Sequence, residues 1–257
     1  MDVFVVSRSR WERSDTLESL GELARDVTLV VPEAQRNNYL PLSKRHGCKL
    51  RGCPYEGISK TRQYCGQVAL GWRFLMLDDD LTFFRRVSAS DWHLKLPHEV
   101  GDTAESMLNL ISDSLRKYVH VAVSAREGNN RLPYEGLENA RPLRALAYRK
   151  REFLEVEHGR VKIMEDFDVS LQLIKKGYKN LVISQWTHSQ RQTQMAGGCS
   201  DYRTKELHAA EVEKFASLHP GLVKLRQKVN KTGGDFGHRL EATIYWQKAY
   251  RQTKETL

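Results

Sequence analysis

The sequence predicts an α/β fold in which a mixed sheet is flanked by helices and followed by a helical C-terminal extension. Three observations lead there. The runs Val3–Val6, Val27–Val31 and Phe74–Leu77 are short and continuously apolar, as strands buried on both faces are. Segments of helical period lie between them, which is the βαβ pattern of a parallel sheet. Charged residues gather directly after the runs, at the strand ends where α/β sheets bind their ligands. With 257 residues, 40% of them hydrophobic, the chain suits one such domain and an appendage, and its character changes near residue 190.

The first run leads into Ser7-Arg8-Ser9-Arg10, where Arg8 and Arg10 either hold a base, ribose or phosphate or are ordinary surface charges. Ser14 offers an N-cap to a short helix whose apolar side is Leu17, Leu20 and Leu23. The strand Val27–Val31 stops at Pro32, and the polar stretch from Tyr39 to Cys53 has room for a small strand near Leu50. Gly57 begins a helix that runs through Val68 towards Gly71. Its first turn carries Lys60 and Arg62, and helix N–H groups with two cations suit a diphosphate.

Strand Phe74–Leu77 then delivers Asp78-Asp79-Asp80. Adjacent carboxylates raise one another's pKa. Either a divalent cation relieves that repulsion, or the triplet is an acidic turn capping the next helix. Leu81–Val87 is followed by an irregular stretch to His93, a helix over Thr103–Val119 and a strand over His120–Val123. The polar loop after it carries Arg126, Asn130 and Arg131, in the position of cleft-lining loops. Ala145–Tyr148 reads as a strand. Glu165-Asp166-Phe167-Asp168 opens a helix that ends at Lys175-Lys176-Gly177, and the macrodipole makes one of its three acids a plain cap. His188 follows strand Leu181–Ile183, as a metal ligand or a surface residue.

Beyond Arg191, residues 192–198 look like a lid or linker. Helices are expected around 204–217, 221–229 and 240–250, with a break at 231–234. Lys224, Arg226, Lys228, Lys231, Arg239, Lys248 and Arg251 interleave with Tyr245, Trp246 and Tyr250, which suits phosphates and stacked bases or a solvated face. The net charge of +9 favours a polyanionic partner, part of which nucleotide phosphates would account for. No run approaches the roughly 20 apolar residues of a membrane span, and a strand entered almost at once, at Val3–Val6, is expected to leave no room for a leader. The four cysteines lack paired metal spacing, so free thiols and a cytoplasmic location are expected.

Taken in order, three segments resemble the nucleotide-sugar glycosyltransferases of the GT-A fold. Gly57-Ile58-Ser59-Lys60-Thr61-Arg62 leading to Leu77-Asp78-Asp79-Asp80 is similar to the cationic helix and metal-binding Asp-x-Asp strand of glycosyltransferase family 2. Glu165-Asp166-Phe167-Asp168 is similar to its Glu-Asp helix, and His188 lies where many such enzymes carry a late metal-binding His. The resemblance implies a GT-A-like, Rossmann-like catalytic domain over 1–190, with 191–257 a lid and basic helical segment packed on it. It also implies a UDP-linked sugar donor and Mn²⁺ or Mg²⁺. Asp78, Asp80 and His188 would hold the metal, while Ser7, Arg8, Arg10, Lys60, Arg62, Asp78 and Asp79 would hold the nucleotide sugar. Asp166 would be the general base, with Glu165 or Asp168 orienting it; a retaining enzyme would use the same acids to stabilise an oxocarbenium-like state.

The tripled Asp, the Arg126–Arg131 loop and the small basic chain are most similar to the phage TET/JBP-associated glycosyltransferases, a family linked with 5-hydroxymethylpyrimidines in DNA. That implies 5-hydroxymethylcytosine in DNA as acceptor, contacted by Arg126, Asn130, Arg131 and Lys231. The chain departs from family 2 in its short, irregular middle and in lacking a membrane segment, which argues against a lipid-linked acceptor. A saccharide or protein acceptor is the nearest alternative; a metal-dependent nuclease and a non-catalytic DNA-binding protein are the others. The sequence does not specify an oligomeric state.

Overall fold

Alternation along the apolar runs decides how the molecule is layered. On β1 (Asp2–Val6), Val3 and Val5 enter one core while Phe4 and Val6 enter another; on β4 (Arg73–Asp78), Leu75 and Leu77 divide from Phe74 and Met76 in the same way. A strand apolar on both sides has to be covered on both. In the computed structural model, which describes residues 1–190, 204–229 and 238–256, helices do this. The first core receives α1 (Asp15–Leu20), α2 (Leu40–His46) and α4 (Ala104–Ser114) through Leu17, Leu42 and Met107. The second receives α3 (Ile58–Val68), α5 (Lys150–Leu154) and α6 (Glu165–Lys175) through Cys65, Phe153 and Val169.

The sheet has ten strands. The further strands are β2 (Val27–Pro32), β3 (Lys49–Cys53), β5 (Leu81–Arg86), β6 (Leu94–Lys95), β7 (His120–Ala125), β8 (Leu137–Glu138), β9 (Ala145–Arg149) and β10 (Asn180–Gln190). Their order is β3-β2-β1-β4-β9-β7-β10-β5-β6, with β8 paired to β10. β1 to β4 run parallel, and β9 lies antiparallel between β4 and β7. β7 and β10 run parallel to each other, with a bulge between Ile183 and Thr187. The carboxyl ends of β1, β4, β7 and β10 therefore open on one side of the sheet. This is the mixed, helix-flanked α/β architecture that the sequence predicts.

The C-terminal part is only partly helical. α7 (Lys205–Leu218) matches the expected helix, but 221–229 and the first half of 240–250 form an antiparallel hairpin, β11 (Val223–Val229) with β12 (His238–Ile244), before α8 (Trp246–Thr256). The reason is periodic: Val223, Leu225 and Val229 alternate with Lys224, Arg226 and Lys228, and Leu240, Ala242 and Ile244 alternate likewise. A third core joins Phe167, Leu171 and Ile174 of α6 to Val212 and Phe215 of α7 and to Trp246 and Ala249 of α8. Residues 192–198 and Lys231 lie outside the described residues. Among the described residues no helix is long and apolar enough to cross a membrane.

Candidate active site

Arg62 joins the two acidic clusters. It lies on α3 with 7% of its surface exposed. Its Nη2 donates to Asp78 Oδ1 at 3.0 Å, its Nη1 donates to Glu165 Oε1 at 2.7 Å, and Nη1 stands 3.9 Å from Asp166 Oδ2. Burial works against a charged guanidinium, but Glu165, Asp78 and Asp166 outweigh it and raise the Arg62 pKa. The same burial pushes Glu165 and Asp166 above the ordinary carboxylate range, against the pull of Arg62. A carboxyl group so placed is suited to accept a proton near neutral pH.

The backbone reaches this arrangement through strained residues. Met164, with φ 66°, turns the chain into α6 so that Glu165 and Asp166 fall in its first turn. Arg144, with φ 59°, accepts the Asp78 backbone N–H on its carbonyl at 3.1 Å. Ser9 and Asn139 complete the described non-glycine residues of positive φ, and Ser9 lies in the loop after β1. Left-handed backbone at ordinary residues costs about 1–3 kcal/mol each and collects at functional sites.

The triplet is pinned from the α1 side, where Thr16 Oγ1 donates to Asp78 O at 2.5 Å and Ser14 Oγ to Asp79 O at 2.9 Å. Asp79 is 5% exposed and turns towards β1, accepting from Ser7 Oγ and, at 2.8 Å, from Arg10 Nη1. Burial raises its pKa to about 6 in spite of Arg10. Ser7 Oγ also lies 2.8 Å from Tyr39 Oη. Asp80 takes the same Arg10 Nη1 at 2.9 Å, and burial, then Asp78, push its pKa upward. Asp78 and Asp80 thus share a field while Asp79 is drawn aside.

Five carboxylates (Asp78, Asp79, Asp80, Glu165 and Asp166) meet two paired guanidiniums, Arg10 and Arg62. That excess, and the repulsion of Asp80 by Asp78, fit a hard divalent cation held by one or two carboxylates with phosphate oxygens completing its shell. His188 does not complete a protein-only set: among the described residues no three His, Cys, Asp or Glu side chains are arranged to hold a metal. His188 is fully buried, its Nε2 lies 3.2 Å from Leu143 O, and burial lowers its pKa to about 3.

Other predicted residues lie apart from this centre. Asp168 faces the C-terminal layer, 2.7 Å from His219 Nε2 and 3.0 Å from Arg160 Nε; burial would raise its pKa, but these bonds hold it below the ordinary range. Lys60 is exposed, its Nζ 3.3 Å from Gln63 Oε1, and Arg8 is half-buried after β1. Arg126, Asn130 and Arg131 are exposed, and the Arg126 guanidinium lies 4.9 Å from the Phe84 ring centre. Buried Asn129 anchors their loop, donating to Ser124 Oγ at 2.7 Å and Ser184 O at 2.9 Å. Sequence reasoning missed Tyr39, Arg141 and Arg144. Arg144 Nη1 is buried without a hydrogen-bond partner, and its charge reaches Asp80. The one available signal was the arginine pair itself, which bounds the short segment before β9.

A mixed sheet of this order, with an acidic triplet at the end of β4 and a Glu-Asp helix behind it, defines a GT-A glycosyltransferase. The chain belongs to the TET-associated glycosyltransferase family, whose model matches residues 1–198. Among solved structures it is similar to S. aureus TarS 1–349 in complex with UDP-GlcNAc, at 12% identity and a TM-score of 0.50, over 84% of this chain and 67% of that one. It is also similar to glucosyl-3-phosphoglycerate synthase from Mycobacterium tuberculosis. The complex of that enzyme with Mn²⁺, UDP and glucosyl-3-phosphoglycerate matches at 10% identity and a TM-score of 0.50, over 95% and 86% of the two chains. The complex with phosphoglyceric acid matches at 9% and 0.52, over 95% and 87%. At such identities the likeness is one of fold. No curated protein matches the chain.

Proposed function

We propose that this glycosyltransferase moves a hexosyl group from a UDP-linked sugar to the hydroxyl of 5-hydroxymethylcytosine in DNA, with Mn²⁺ or Mg²⁺. The convergence of Asp78, Glu165 and Asp166 on Arg62 carries the reading, because it sets a diphosphate-side carboxylate and a base-side carboxylate around one buried cation. The UDP, UDP-GlcNAc and Mn²⁺ in the complexes of TarS and glucosyl-3-phosphoglycerate synthase support the donor and the metal. The TET-associated family and the net charge of +9 support DNA.

In this scheme residues 1–190 form the catalytic domain and 191–257 a lid and basic segment. Asp78 and Asp80 would hold the metal, which would supply neutralisation of the charge developing on the leaving diphosphate. Ser7, Asp79 and Arg10, with Arg8 beside them, form the nucleoside side, and the unpartnered Arg144 Nη1 donates to a diphosphate oxygen. Asp166 takes the acceptor hydroxyl proton as that oxygen bonds to the sugar's anomeric carbon and the bond to the diphosphate breaks; Arg62, bonded to Glu165 and 3.9 Å from Asp166, positions the two acids. If configuration is retained, Glu165 and Asp166 stabilise the oxocarbenium-like state instead. Lys60 contributes positive charge towards the nucleotide sugar, and Arg126, Asn130, Arg131 and Lys231 contact the DNA. The reaction belongs in the cytoplasm, of the host cell if the chain is phage-encoded.

Mass spectrometry of 5-hydroxymethylated DNA, after incubation with a panel of nucleotide sugars and Mn²⁺, tests the reading. A hexose mass added to the modified base is expected. Unmodified DNA alongside a glycosylated saccharide or protein would move the acceptor to that class.

A further inference from the structure

A cleft of about 530 Å³ opens between the end of β7, the segment 137–143 and the start of α8. A larger cavity of about 560 Å³ lies by Trp72 and Arg149, at the end of β4 away from the acids, and offers no comparable chemistry. From the first cleft we infer an acceptor pocket that takes a single pyrimidine nucleotide turned out of the DNA stack. This rests on the DNA reading above and extends it to a place and a set of residues.

Four observations converge on it. The volume lies in the range of pockets that enclose one small ligand. Its walls combine a stacking surface with a hydrogen-bonding edge. Tyr245, 39% exposed, offers a ring face, Leu137 supplies an apolar side, and Asn139, 3% exposed, has its Oδ1 buried without a partner. An amide oxygen in that state can accept from the exocyclic amino group of a cytosine. Asn139 is held for this by its left-handed backbone, φ 48°, and by its N–H donating to Asn180 O at 3.0 Å.

The rim carries Arg141, Lys248 and Arg251 against one acid, Glu127, as contacts to flanking phosphates require. The cleft is linked to the reacting centre through Arg141, whose charge acts on Asp166. Arg141 stands 5.1 Å from the Phe167 ring centre, and Phe167, next in sequence to Asp166, meets Trp246 edge-on at 5.7 Å. Arg141 and Trp246 of the cleft wall thus both pack on the residue that follows Asp166, and in this proposal a base seated there turns its hydroxymethyl group towards that acid. Stacking on a side chain offsets much of the cost of leaving the duplex.

The test uses the full chain with duplex DNA carrying one 5-hydroxymethylcytosine beside a 2-aminopurine, which brightens when its neighbour leaves the stack. Tyr245→Ala removes the stacking face, and Leu137→Trp fills the cleft from an exposed position. Wild type is expected to brighten the probe and glycosylate the duplex. Both variants are expected to raise the KM for DNA about tenfold or more, in line with removal of one stacking partner. They should lose the brightening and bind UDP with Mn²⁺ as wild type does. Unchanged KM and brightening in both variants, beside an active wild type, would overturn the pocket and leave the DNA reading standing. A wild type that binds UDP but glycosylates no hydroxymethylated DNA would overturn both.

Discussion

Asp166 and Glu165 are adjacent in sequence but differ in their bond to Arg62: Glu165 accepts at 2.7 Å, while Asp166 stands 3.9 Å away. The acid less tightly held by the cation is the better proton acceptor. Asp166→Asn should lower kcat by about 10²–10⁴, the range for loss of a general base, with UDP affinity preserved; isothermal titration beside a transfer assay separates the two, and full activity would remove Asp166 from the role. A second consequence concerns pH. Asp79 titrates at about 6 in the folded protein, above the ordinary carboxylate value, so the folded state holds this proton more tightly than the unfolded chain. Its contribution to stability is present below the unfolded pKa and is lost as pH rises through about 6. Asp80, Glu165 and Asp166 are shifted in the same direction. Buried His120 and His188, whose pKa values burial lowers, work the other way in the same window, so the contribution of Asp79 is read as a difference: relative to Asp79→Asn, the wild-type urea midpoint should fall between about pH 4 and 7. Identical pH profiles for wild type and Asp79→Asn would contradict the burial assigned to Asp79.

At the level of elements, the helix carrying Arg62 is fitted closely to its neighbours. A Cβ at Gly66 on α3 would stand 2.6 Å from the Phe153 ring and 3.2 Å from Phe74. Gly66→Ala should destabilise the protein by about 1–3 kcal/mol through overpacking, read as a lower denaturation midpoint, and should reduce transfer because α3 displaced is Arg62 displaced. The apolar runs made β1, β2 and β4 legible in the sequence, because burial on both faces leaves a continuous signature. The hairpin of β11 and β12 is legible too, in its alternation, although its recurrent basic residues equally suit an exposed helical face. What no local pattern could reveal is which partner each acid finds. Asp168 has the same helix-opening context as Asp166, yet it meets Arg160 and His219, and that choice is made by tertiary packing. The left-handed turns at Met164 and Arg144 carry no sequence signature either, since neither residue favours that backbone.

Over the whole molecule, charge is divided. The site is acidic, whereas the exposed face of the hairpin presents Lys224, Arg226 and Lys228 in alternate positions of β11, beside Arg239 and Glu241 of β12. Exchanging Lys224, Arg226 and Lys228 for Glu should weaken binding to duplex DNA and reduce the dependence of log Kd on log salt by about 0.9 for each phosphate no longer neutralised. Fluorescence anisotropy at graded salt measures both, and an unaltered slope would exclude the hairpin from the DNA footprint. The family match ends at residue 198, but the support beneath α6 does not. Asp168 is tied to His219, and Phe167, Leu171 and Ile174 rest on Val212, Phe215 and Trp246. A fragment cut at the family boundary would bare that apolar surface and leave a buried acid without its histidine. The catalytic domain and the segment after it are accordingly expected to unfold together, and grafting a foreign C-terminal segment to redirect the acceptor would have to reproduce the packing under the Glu-Asp helix before it could change any specificity.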